Sequence, residues 1–132
     1  MTRILLRRTG ERPLRFTGET LSRTVFHLAE NGAITLGLHA STEGGLVCEC
    51  ACQPPESYTQ AAGLWPHHAA IRAASAEAAA SIFESFSLQS GTNTGAANLV
   101  RLAMQACLRA AMREAVGEFL YALAKPAASA QS

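Results

Sequence analysis

The chain changes period at Pro54-Pro55. Before that point apolar residues alternate at the two-residue spacing of strands, and after it an alanine-rich half repeats at the spacing of helices. A chain written this way packs helices on one face of an antiparallel sheet, the α+β class. Its 132 residues, 48% hydrophobic and 16% charged, supply one core, so a single domain is expected over residues 1–125, with a disordered tail at 126–132.

The first half predicts a meander of about four antiparallel strands within residues 3–52. Arg3 to Arg8 reads as a strand, Thr9 to Pro13 as a turn, and Leu14 and Phe16 alternate with Arg15 and Thr17. Thr20 to Leu28 resumes after Gly18. Asn31-Gly32 then predicts a tight hairpin, because both residues tolerate positive φ. The strands Ala33 to His39 and Leu46 to Cys52 follow, joined by a turn through Gly44-Gly45.

Two helices are expected in the second half, at about 66–86 and 95–123, packed on one sheet face. Ser57 and Gln60 have the spacing of a capping box for a short turn that Gly63 ends. Pro66 suits a first helical turn, and Ile71, Ala74, Ala78, Ile82 and Phe86 would then form an inward stripe. Ser87 to Thr94 reads as a loop whose Asn93 or Thr94 caps the last helix. That helix would be roughly 40 Å long against a domain diameter of ~28 Å. Asn98, Arg101, Gln105, Arg109 and Arg113 form its narrow polar stripe, and apolar residues fill most of the remainder. A helix this apolar needs two partners, one inside its own domain and one outside. The outer partner is read as the same helix of a second chain, through Leu99, Leu102, Ala106, Met112, Val116, Phe119 and Leu120. A break at Gly117 that folds the helix back on its own domain is the alternative.

Charge narrows the function classes. The net charge is +1, which drives the protein onto neither nucleic acid nor an anionic surface, but six arginines against Glu11 and Glu19 crowd the stretch Met1 to Leu28. A solvated sheet face accounts for them. Alternatively Arg7, Arg8, Arg15 and Arg23 form a stripe that lies on nucleic-acid phosphates. The chain contains no aspartate, so any chemistry that requires one is excluded. No apolar run reaches the about 18 residues of a membrane span, and Ile4-Leu5-Leu6 is too short for a signal segment, so a soluble cytoplasmic protein is expected.

Cys48, Cys50 and Cys52 project from one face of a strand and continue the apolar face begun by Leu46. Packing as small hydrophobes is one reading. A metal or redox site is the other, although same-face neighbours on a regular strand stand about 6.5 to 7 Å apart, wide for thiolates sharing one zinc, and a bulge bringing in His39, His67 or His68 would be needed. His67-His68 after Trp65-Pro66 read as a surface pair beside a turn, or alternatively as a small polar site at a helix amino terminus, and Cys107 has no histidine assigned to it, so a Cys-His enzyme is not expected. Ser90 to Gly95 has the look of a phosphate loop but lacks its lysine and follows a helix. No cofactor is implied.

The run RRTGERPLRFTGETLS, followed by a hairpin with STEGGLVCE, resembles the opening of short proteins carried on proteobacterial plasmids and other mobile elements. The resemblance covers about half the chain and implies an accessory or regulatory role, which leaves inhibition of a host factor open. Together these readings predict a non-enzymatic, homodimeric protein-binding or regulatory module. Nucleic-acid binding by the arginine face is the second reading, and a thiol metal site the third.

Overall fold

The computed structural model describes residues 1–86 and 99–130, with side chains described through Lys125. The elements run β1 (Thr2–Leu6), β2 (Leu14–His27), β3 (Ala33–Ser41), β4 (Leu46–Gln53), α1 (Glu56–Ala62), β5 (His67–Ala73), α2 (Ala76–Phe86) and α3 (Leu99–Ala130). The α+β expectation holds. The sheet has five strands in the order β1-β2-β3-β4-β5, each antiparallel to its neighbour, with helices packed on it.

The sheet curls into a half-barrel because β2 serves two partners with its two ends. Its first residues pair with β1 up to Gly18, and from Gly18 onward it pairs with β3. A Cβ at Gly18 would run into the Ala40 carbonyl, so the backbones come this close only because residue 18 has no side chain. A bulge follows at once: Thr20 faces His39 and Ser22 faces Leu38, leaving Leu21 as the extra residue. The two edges of the sheet then meet, as the Thr9 amide donates to the His68 carbonyl at 2.8 Å and the His68 amide donates to Thr9 Oγ1 at 2.8 Å.

The predicted helix over 66–86 is replaced by a strand and a shorter helix. His67 to Ala73 pairs along β4 from Cys52 opposite His67 to Leu46 opposite Ala73. Left as an edge, β4 would expose Val47 on one side and three cysteines on the other, so pairing overrides the helical preference of an alanine-rich segment. Ile71, expected on an inward helical stripe, is therefore a half-exposed strand residue. The helix begins only after Ser75, whose Oγ accepts from the Ala78 amide at 3.1 Å as an N-cap.

Two smaller expectations shift. Positive φ falls on Glu30 and Asn31 instead of Asn31 and Gly32, so the hairpin turn lies one residue earlier. Ser57 does not cap α1, which begins after Pro55. The Ser57 amide is met by Glu30 Oε2 at 3.2 Å, so the β2–β3 turn supplies the negative charge favoured at a helix amino terminus.

The main core lies between the convex sheet face and the helices. Leu36, Cys48 and Cys50 from the sheet meet Phe83 of α2 and Leu108, Met112 and Phe119 of α3. The Phe83 and Phe119 rings pack edge-on at 5.2 Å. A second, smaller core of Leu6, Phe16, Val47 and Ala70 fills the concave side.

α3 runs through Gly117 without a break and continues past Lys125 to Ala130, where a frayed tail was expected. Its length is about 48 Å. The stripe facing the domain includes Arg101 and Gln105 of the narrow polar stripe, and both are buried. Asn98, the 87–94 loop with its caps Asn93 and Thr94, the phosphate-like run at 90–95, and residues 131–132 lie outside the described residues.

Candidate functional site

Across the concave face, Arg23 of β2, Gly37 of β3 and Glu49 of β4 stand in one row, and Thr20, His39 and Val47 stand in a second row. Gly37 makes the arrangement possible. A Cβ there would lie 2.5 Å from Glu49 Oε1 and 3.1 Å from His39 Nε2, so the missing side chain leaves the space that the carboxylate occupies. His39 Nε2 bonds Glu49 Oε1 at 3.0 Å, and Arg23 Nε donates to Glu49 Oε1 and Oε2 at 3.2 and 3.3 Å. His39 Nδ1 and Thr20 Oγ1 are 2.9 Å apart.

An ionised carboxylate only accepts, so Nε2 carries the proton facing Glu49, and in the neutral ring Nδ1 accepts from the Thr20 hydroxyl. The imidazole is 2% exposed and packs against the Phe16 ring at 5.9 Å. Burial pushes the Glu49 carboxyl up, but hydrogen bonds from His39 and Arg23 and the nearby guanidinium charge outweigh it and hold Glu49 below its ordinary value. The network ties three strands together and fixes one negative charge on the concave face.

Beside it opens a pocket of about 240 Å³ whose lining includes Arg7, Arg23, Thr35, Glu49, Ala51 and His68. His68 lies below the ordinary imidazole range because it is partly buried and faces the charges of Arg7 and His67, with Glu49 opposing.

The four arginines of the nucleic-acid reading do not make one stripe. Arg15 and Arg23 are eight residues apart on one strand and would share a face, but the bulge at Leu21 reverses the alternation between them. Arg23 therefore enters the concave pocket with Arg7, while Arg15 lines an outer depression with Arg3 and Leu5. Arg8 turns into the β1–β2 loop, donating from Nε to the Arg12 carbonyl at 2.7 Å.

Cys48, Cys50 and Cys52 share a face as the alternation required, and that face is the main core. Burial pushes Cys48 to about 11 and Cys52 to about 12, and raises Cys50 further, with Cys48 and Glu49 adding to the effect. Among the described residues no three His, Cys, Asp or Glu side chains are placed to hold a metal ion. The two histidines separate on β5: His67 stacks on Phe86 at 6.0 Å on the helix side, and His68 faces the pocket, so neither stands at a helix amino terminus. Cys107 is exposed on α3, beside Tyr58.

The residues read as a dimer seam divide. Met112, Val116 and Phe119 are buried in the chain's own core and Leu120 packs against it, whereas Leu99, Leu102 and Ala106 are exposed. Periodicity does not show which side of an apolar helix its own domain takes, so the expected seam included residues that the chain's own core buries.

Sequence reading missed the His39–Glu49–Arg23 network. The signals present were a histidine and a glutamate on neighbouring strands with a glycine between them in register, but their alignment depends on strand pairing. Compared with family models, curated proteins and solved structures, the chain finds no match.

Proposed function

We propose that this protein is a non-enzymatic binding module that works as a homodimer through the outer face of α3. The observation that carries this reading is the first part of that helix, where Leu99, Val100 and Leu102 are 82%, 55% and 51% exposed. Leu99, Leu102, Ala106 and Ala110 follow at intervals of three and four residues, all on the exposed side, until Arg113 closes the stripe. That spacing is the seam of a short helix pair, with alanines allowing close approach. Exposed contiguous apolar surface on a helix is costly unless something covers it. A second copy brings an identical stripe, and its geometry closes with two-fold symmetry.

An accessory or regulatory role follows from such a surface together with the amino-terminal resemblance. Four free thiols, three of them buried, fit the reducing cytoplasm. Among the described residues no helix is long and apolar enough to cross a membrane.

Sedimentation velocity over a range of concentrations tests the reading. The native chain should sediment as a dimer at high micromolar concentration, and the Leu99→Glu, Leu102→Glu double variant as a monomer with unchanged circular dichroism. A native chain that stays monomeric throughout sinks the proposal.

A further inference from the structure

We propose that the concave pocket of the half-barrel is a binding site for a small organic anion, held by the guanidinium groups of Arg7 and Arg23. Two arginines converge on this pocket of about 240 Å³, and the one carboxylate in its lining is Glu49. Both Glu49 oxygens are already engaged, Oε1 by His39 and Arg23 and Oε2 by Arg23. Arg23, which lines the pocket, is thereby neutralised and oriented, and half of its side chain remains solvent-exposed. Arg7 makes no ion pair among the described residues and leaves the pocket with one unmatched positive charge. Planar guanidinium forks suit the paired oxygens of carboxylate and phosphate.

The remaining lining sets the size and character of the ligand. Leu5, Leu6 and Ala51 offer apolar contact, and Thr35 and His68 offer polar contact. Small-molecule sites commonly occupy about 300 to 1,000 Å³, so this one takes a ligand at the small end, a short carboxylic acid or a phosphate monoester, and excludes a dinucleotide. The site is also braced. Gly37 allows Glu49 to sit over β3, His39 locks Glu49, and the Thr9–His68 bonds hold the β5 wall against the loop that follows Arg7.

His68 supplies a built-in reporter. Burial, and after it the charge of Arg7, depress its imidazole, so an anion seated on Arg7 offsets that charge and raises it. Binding should therefore take up a proton and tighten as the pH falls through the His68 transition.

Propionate and inorganic phosphate are the probes, titrated into the ¹⁵N-labelled full chain and followed by two-dimensional NMR. Saturable shifts of the Arg7, Thr35, Ala51 and His68 amides are expected, lost or weakened at least about tenfold in Arg7→Ala, an exposed position whose replacement leaves the fold intact. Saturation by propionate alone identifies a carboxylate ligand, and saturation by phosphate alone a phosphate monoester. The His68 ring titration should move upward with saturating propionate, which stays ionised between about pH 6 and 8. Absence of saturable shifts with either anion, or equal shifts in Arg7→Ala, overturns the assignment.

Discussion

The carboxylate of Glu49 occupies the space where residue 37 would carry a side chain, 2.5 Å from the ideal Cβ position of Gly37. The contact matters because Glu49 is not free to swing away. It is held at its tip by His39 and Arg23, and its own Cβ stands 3.3 Å from the same point.

Gly37→Ala should therefore cost about 1 to 3 kcal/mol, the range for overpacking a filled site. Thermal or urea denaturation measures the loss. A variant as stable as the native chain would mean that Glu49 moves at no expense and that the network is loose.

Acid should weaken the same network in a defined direction. Folding lowers the Glu49 carboxyl below its unfolded value, so its contribution is complete above the unfolded value and disappears as the pH falls through the folded one. Glu49→Gln should be less stable than the native chain near neutrality, by about 1 to 3 kcal/mol. The gap should close on acidification, when the native residue is protonated and also uncharged. Urea midpoints for both proteins between about pH 2 and 6 would show it, and a gap independent of pH contradicts the assignment.

Thiol reactivity should split three to one. Cys48 and Cys52, pushed to about 11 and about 12, and Cys50 above them carry almost no thiolate near neutrality and are closed to reagent. Cys107 is exposed. Iodoacetamide followed by intact-mass spectrometry should add one label per native chain and four after denaturation. Rapid labelling of Cys48 or Cys50 would revive the redox reading.

Gly117→Ala should stabilise the protein by up to about 1 kcal/mol. Gly117 lies exposed inside α3, and a Cβ there would meet nothing within 4 Å. The melting temperature should rise with no change in oligomeric state.

Four of the five strands were legible because alternation survives wherever one face is buried. Leu46, Cys48, Cys50 and Cys52 are such a run, as is the β3 set Ile34, Leu36 and Leu38. β5 was not legible. His67 to Ala73 has three alanines and no alternation to set against helix propensity, and its strand character comes from the unpaired side of β4. The arginines failed for a different reason. Parity along β2 reverses at Leu21, and no residue type there announces the bulge.

Local chemistry decided the class of this protein. Two-residue alternation, turn residues and an apolar carboxy-terminal helix produce a sheet with helices on it almost regardless of detail, because each acts over a few residues. The site was decided by register. Arg23, Gly37 and Glu49 are separated by ten or more residues, and only the pairing of β2, β3 and β4 puts a carboxylate over a missing side chain and between a guanidinium and a buried imidazole. Likewise, which side of α3 its own domain claims depends on the shape of the core beneath it, since an apolar helix looks the same from every direction until one side is covered.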